Sequence, residues 1–296
     1  MKTPSIKLKY NIDEEVNQFL KFLHHPFFPQ HRVMMFKAFP ELEMFLKNID
    51  NPKKEKLIIK KFIKNFQKRY NKRIKKIIKQ SKKILNEKSK IALIELTKLM
   101  DYQWPKGSSD YTAMPTILPF SPFRKKTFYF SILRTLFDKK ESDVFFVSTH
   151  EISHMVLFEI MEKQYKKPLS QIIEATSLYF LKEILAAAII NQEPLKEMLN
   201  LKNYLGNSLL HYLFVRTGAK KQKKQITKFF QQFYETAKYK KQKKFNQILD
   251  DVIKIILSIK DELKNKKKIW NKYGKEIVYN PKILKQYSEP IKLKGR

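Results

Sequence analysis

The sequence predicts a predominantly helical α+β fold with a small sheet and long flanking helices. Three observations predict it. Apolar residues recur at three- and four-residue intervals through Ile59, Phe62, Ile63, Phe66, Tyr70, Ile74, Ile77, Ile78, Ile84 and Leu85, the mark of one-faced helix packing. The β-branched and aromatic run Thr127-Phe128-Tyr129-Phe130-Ser131-Ile132 follows a stretch punctuated by Pro105, Gly107, Pro115, Pro119 and Pro122, which reads as a strand among turns. A chain of 296 residues can bury a sizeable core as one large domain or two.

In chain order, Ile6 to Tyr10 offers a partner strand, and Asp13 to Leu23 a short helix ended by His24-His25-Pro26. A helix from about Gln30 to Lys47 follows. Asn51-Pro52 then opens the long striped helix, with a further helix over about Lys90 to Tyr102. After the strand at 127–132, Ser142 is a good N-cap, and Asp143 complements the positive end of a helix running to about residue 165. Pro168-Leu169-Ser170 starts a second helix to about Asn191, and Pro194 restarts a short one. Tyr204 to Thr217 is expected to be helical and stopped by Gly218. Helices are expected again at about 223–238 and 241–264, a short strand at Gly274 to Tyr279, and loose order from Pro281. Three regions result: a basic helical region over 1–103, a core over 104–218 and a second basic helical region over 219–296.

The chain has no cysteine, which excludes disulfide frameworks, zinc ribbons and thiol nucleophiles. No run of 18 apolar residues occurs and no apolar stretch follows Met1-Lys2-Thr3-Pro4-Ser5, so no transmembrane segment and a cytoplasmic location are expected. The net charge of +34 points toward polyanions, but it is unevenly placed. Residues 53–90 hold seventeen Lys or Arg against two acids, while 141–217 hold seven bases against nine acids. Only seven of the 62 basic residues are Arg, and base or phosphate recognition leans on the Arg fork. The charge therefore reads mainly as solvated helix faces, with weak, salt-sensitive nucleic-acid or anionic-surface association as the partner reading.

The segment Thr149-His150-Glu151-Ile152-Ser153-His154 is the most specific feature. At about 100° per residue, His150 and His154 stand one turn apart on one helix face. Two imidazoles so placed can share one Zn²⁺, with Glu151 beside the metal to handle a proton. The helix is apolar on most sides (Val144, Phe145, Val147, Met155, Val156, Phe158, Ile160), and a buried Glu and two His without a metal would carry uncompensated desolvation. A catalytic zinc keeps three protein ligands and an open position, so a third ligand is required. Glu174 lies among Ile172, Ile173, Ala175 and Leu178, where an unpaired carboxylate is out of place. Glu159 points away from the motif face, Glu183 falls roughly opposite Glu174 on its helix, and His211 is the rival third ligand.

With His150-Glu151-x-x-His154 followed nineteen residues on by Glu174-Ala175-Thr176-Ser177, residues 142–191 resemble the gluzincin group of zinc metallopeptidases, the thermolysin-like zincins. The resemblance covers under a fifth of the chain. It implies a zincin-like core, Zn²⁺ on His150, His154 and Glu174, Glu151 as the catalytic proton carrier, and a peptide or protein substrate. Ile173 and Leu178 stand where that group carries Asn and Asp, so the Asp that orients the first zinc histidine is missing. The resemblance also implies that the strand before the motif helix binds substrate backbone, an ordinary buried strand being the other reading. His211, or one of Tyr179, Tyr204 and Tyr212, would support the oxyanion. The expected function is a zinc-dependent metallopeptidase. The alternatives are a non-enzymatic basic protein binding nucleic acid or an acidic partner, and a protease recruited to nucleic-acid-bound substrates.

Overall fold

A computed structural model describes residues 3–138, 142–217 and 222–293. It is mostly helical with two small sheets, as the composition and periodicity predict. The chain divides into two compact units, Lys2–Lys90 with Lys106–Glu151, and Ile91–Pro105 with Ile152–Arg296.

The first unit begins with β1 (Ile6–Leu8) and α1 (Ile12–Leu23). Asn11 caps α1 by accepting from the amides of Asp13 and Glu14, and three acids in the first turn suit the helix dipole. The single helix expected from Gln30 is two, α2 (Pro29–Ala38) and α3 (Pro40–Leu46). Pro40 disfavours helical backbone at Phe39, which ends the first, and its own ring starts the second. The stripe from Ile59 belongs to α4 (Pro52–Leu99), which runs on through the segment expected to form a separate helix after Lys90, with a kink at Tyr70. The sheet adds β2 (Tyr111–Thr116), β3 (Phe123–Arg124) and β4 (Thr127–Ser131) in the order β1-β2-β4-β3. Ile6 to Leu8 is thus a true partner strand, parallel to β2. Both inner contacts of β2 are parallel, and only β3 runs antiparallel, against β4.

β4 is not an open substrate-binding edge. Its centre is buried at Phe128, Tyr129 and Phe130. On the side away from β2 the Tyr129 amide donates to the Pro122 carbonyl, the Ser131 amide to the Ser121 hydroxyl, and Phe123 pairs with Phe128. The proline-rich segment expected to be only a breaker folds back and occupies that edge, so the buried-strand reading holds. Glu15, 1% exposed, tethers α1 to the sheet: its carboxylate accepts from the Ile117 amide, the Thr116 hydroxyl and the Tyr10 hydroxyl. Burial pushes its pKa up despite these bonds. The unit continues through α5 (Leu133–Phe137) into the start of α6 (Val144–Tyr165).

The second unit continues α6 and adds α7 (Leu169–Ile172), α8 (Ala175–Ile190) and α9 (Leu195–Met198). The helix expected over Tyr204 to Thr217 is instead a loop, a 3-10 turn (Leu210–Tyr212) and β5 (Phe214–Thr217); Gly218 lies outside the described residues. The alternation in Phe214, Val215, Arg216 and Thr217 fits a two-residue period, and Val215 points into the core. β5 pairs antiparallel with β6 (Gln222–Gln225). Then come α10 (Ile226–Glu235), a π-helical turn, α11 (Phe245–Ser258) and α12 (Lys260–Tyr273). Gly274 to Val278 is a 3-10 turn where a strand was expected, and the end expected to be loose forms α13 (Pro281–Ser288) and β7 (Ile291–Lys292), the latter parallel to β5. Asn280 caps α13, and the Lys266 ammonium donates to the carbonyls of Gln286 and Tyr287 at its other end. α8 is the central element: every residue from Ile184 to Ile190 is buried, with α10, α11 and α12 packed around it. Tyr234 on α10 donates its buried hydroxyl to the Leu99 carbonyl.

Candidate metal centre

α6 builds the site. The Ser142 hydroxyl accepts from the Val144 amide and contacts the Ser81 hydroxyl, so it caps the entry to α6 from one position before the N-cap residue Asp143, whose carbonyl accepts from the Val147 amide. The hydroxyls of Ser148 and Thr149 donate back to the Phe145 carbonyl, which lets polar residues sit buried one turn before the histidines. Among the described residues α6 is the one helix long and apolar enough to cross a membrane by length and composition, and most of its apolar window is buried within the protein.

His150, Glu151 and His154 are 8%, 6% and 1% exposed, and their ligand atoms lie within 4.8 Å of one another. The i, i+4 spacing does this within a single helix. Phe146, one turn earlier, stacks on the His150 ring at 6.0 Å and limits its rotation. Two imidazoles and a carboxylate, all largely buried, form a donor set that suits a borderline-soft divalent cation.

The carboxylate that reaches His154 from α8 is Glu183. Its Oε1 stands 3.6 Å from His154 Nε2, and its side chain is only 8% exposed. Glu174, the third ligand the resemblance implies, is not among the residues whose ligand atoms gather with the two histidines. Glu174 is at the N-cap position of α8, outside the helix, with extended backbone. It forms an ion pair with Lys264 at 2.8 Å and accepts from the Ser177 hydroxyl at 2.9 Å. Partial burial works upward on its carboxyl, but Lys264 and Ser177 outweigh it and hold the pKa below the ordinary value. The expected helix began at Ser170; the actual one begins after an extended break at Ile173 and Glu174, which removes Glu174 from the helix and leaves Glu183 facing α6.

Around Glu183 the second unit places charged and aromatic groups that sequence reasoning missed, apart from Tyr179. Lys182 forms an ion pair with Glu183. Lys267 on α12 is 5% exposed, with its ammonium 3.9 Å from the centre of the Tyr179 ring. Burial, and then the Lys182 charge, push the Lys267 pKa down to about 7. The Tyr179 hydroxyl accepts from the Asn207 amide at 2.9 Å, and burial followed by the Glu183 charge pushes the phenol well above its usual range. Tyr179 and Lys182 are four positions and one position from Glu183 on the same helix, a signal visible once α8 is correctly framed.

The other expected participants are elsewhere. His211 is exposed on the 3-10 turn, its Nε2 bonds the Gly206 carbonyl at 3.1 Å, and it is not in the buried histidine cluster. Tyr212 packs by Trp270 and Tyr287, and the main chain of Tyr204 is held by the Asn191 side chain. Glu159 accepts from the Tyr102 hydroxyl. His24 pairs with Glu55, His25 stacks on Phe22, and His31 stacks on Phe120, consistent with loop and packing roles for the N-terminal histidines.

No family model, curated protein or solved structure matches the chain.

Proposed function

We propose that the chain is a zinc-dependent hydrolase of peptide bonds, with a zincin-like core in which His150, His154 and Glu183 hold the metal. The observation that carries this reading is the buried His150-Glu151-His154 cluster with the Glu183 carboxylate 3.6 Å from His154. A zinc ion bound there supplies Lewis acidity toward the scissile carbonyl and makes a water easier to deprotonate. Glu151, adjacent in sequence to His150 and buried beside both histidines, takes the proton of the attacking water and returns it to the leaving amine. Phe146 and the tight packing of α6 fix the imidazole planes, and burial excludes competing water. Tyr179, kept neutral by its raised pKa, remains a hydrogen-bond donor for developing negative charge.

Purified protein should contain close to one zinc per chain. Glu151→Gln should keep that metal and lose peptide cleavage in a library assay by about 10²- to 10⁴-fold, the usual worth of a general base. Zinc retained by the double variant His150→Ala with His154→Ala would overturn the reading.

A second reading rests on the exposed surface of α4, where residues 53–90 carry seventeen bases and two acids. Such a face supports weak polyanion binding, alone or as recruitment of the hydrolase to nucleic-acid-bound substrates. Binding to duplex DNA that falls steeply between 50 and 200 mM salt, about 10³-fold or more, with cleavage stimulated by DNA, would select the recruited enzyme; binding without stoichiometric metal would select the non-enzymatic protein.

A further inference from the structure

Within the first unit, a cavity of about 590 Å³ opens against one face of α4, well away in sequence from the histidine motif. Its floor is an i, i+4 ridge: Ile58, Phe62, Phe66 and Tyr70. The rings interlock with Phe39 and Phe137, at centroid distances of 5.2 Å for Phe39–Phe62, 4.8 Å for Phe66–Tyr70 and 5.5 Å for Tyr70–Phe137. A second ridge runs alongside: Lys61, Asn65 and Arg69, one helical turn apart. From Ile58 to Tyr70 the floor is about 18 Å long, and Lys61 and Arg69 are about 12 Å apart along it.

Two features distinguish this cavity from ordinary surface. Phe45 and Phe137 line it while 53% and 50% exposed, a concentration of wet aromatic area that monomeric surfaces rarely keep without use. The α4 kink falls at Tyr70 in its lining, with φ −110° and ψ 15°, although neither proline nor glycine is present there. The charge is also one-sided. Among the described residues no carboxylate forms an ion pair with Lys61 or Arg69, and Glu41 is the one acid in the lining.

We propose that this cavity binds a single-chain anionic amphiphile of the long-chain carboxylate class. The acyl chain lies along Ile58, Phe62, Phe66 and Tyr70 beneath Phe45 and Phe137, and the carboxylate is held by Lys61 or Arg69. The volume falls in the usual range for small-molecule sites, and an apolar floor with a few polar groups along one side is their usual construction. An elongated floor favours a chain over a compact ring system, and cations with no carboxylate ion pair among the described residues, Arg69 lying over the Tyr70 ring, favour an anionic head over an alcohol or an ammonium.

The test is isothermal calorimetry of the full chain with dodecanoate, kept below its micelle concentration, against 1-dodecanol, dodecyltrimethylammonium and hexanoate. Saturable binding of dodecanoate is expected, at least about tenfold tighter than any of the three controls. Lys61→Glu with Arg69→Glu places like charge against the head group and should weaken dodecanoate at least about tenfold. Both side chains are exposed, so the thermal transition should be unchanged; should it shift, Phe45→Ala gives the same readout by shortening the aromatic roof, and is expected to weaken binding several-fold. Dodecanol or the ammonium binding as well as dodecanoate would overturn the proposal. Unaltered affinity in both variants would overturn it too, as would saturable binding of an acidic amphipathic peptide with none of dodecanoate.

Discussion

The sharpest test of the candidate centre exchanges the two glutamates of the 174–183 segment. Glu174→Ala removes a carboxylate whose side chain is 36% exposed and whose partner Lys264 is 40% exposed. Exposed ion pairs contribute about 0–1 kcal/mol, and loss of a favourable charge at a helix N-terminus adds about 0.3–1 kcal/mol. That variant should lose at most about 2 kcal/mol of stability and hold zinc as the parent does. Glu183→Ala removes a carboxylate that is 8% exposed and 3.6 Å from His154. Groups that merely orient a ligand are worth about 10- to 100-fold in metal affinity. A direct ligand should exceed that, so Glu183→Ala should weaken zinc more than about 100-fold, or about 2.8 kcal/mol at 1.4 kcal/mol per decade. Competition against a chromophoric chelator reads both affinities on one scale. Folding is controlled by circular dichroism, because the deletion also leaves Lys182 without its carboxylate. Zinc affinity lost in Glu174→Ala and kept in Glu183→Ala would refute the reasoning and restore the spacing-based assignment.

Three further outcomes follow from the packing. Tyr234→Phe removes the donor to the buried Leu99 carbonyl and should cost about 1–3 kcal/mol in urea unfolding, with an unchanged m-value; a neutral result would mean that the bond contributes nothing net. Phe230→Ala deletes a fully buried ring beside α8 and should cost about 3–5 kcal/mol, measured the same way. Glu15 supplies a pH signature. Its folded pKa is raised, so its favourable contribution is fully present below the unfolded value near 4.5 and is lost as pH rises through the folded pKa. Relative to Glu15→Gln, the parent should therefore lose stability as pH climbs from about 4.5 toward neutrality, and parallel stability–pH curves for the two proteins would contradict the burial argument.

What the sequence made legible was local. The His150–His154 spacing, the Ser142 cap and the α6 boundaries depend on one helical turn at a time, and they are found where the pattern places them. The striped face of α4 was equally plain, because its period persists from Ile59 to Leu85, about seven turns. What failed was any inference needing the phase of one helix against another. The Ser170 start signal was chemically reasonable, yet α7 ends after one turn and α8 begins anew beyond Glu174. A shift in where a helix begins decides whether a residue belongs to it at all, and no local propensity in Ile172-Ile173-Glu174-Ala175 marks the break. Tyr204 to Thr217 failed for a related reason: its apolar residues fit either period, and pairing with β6 and β7, far along the chain, selects the strand. The edge of β4 was illegible because the covering segment, 121–124, resembles a breaker and becomes a strand only by pairing.

The lysines around Glu183 bear on whether a dication can enter at all. Lys182 neutralises Glu183, while burial first and then the Lys182 charge push the Lys267 pKa down. Adding a doubly charged ion among two ammonium groups would be unfavourable if both stayed in place. Lys182 has a side chain 17% exposed on a flexible four-carbon stem, so its head group can move to solvent while the stem stays packed. Lys267, buried and with a pKa about 7, can enter the bound state neutral. Zinc binding should then release a lysine proton. Calorimetry of zinc binding in two buffers of different ionisation enthalpy counts the protons released. Lys267→Met should reduce the count while preserving the affinity. An unchanged count in that variant would mean that Lys267 keeps its charge beside the metal and that the lysines oppose binding instead of yielding to it.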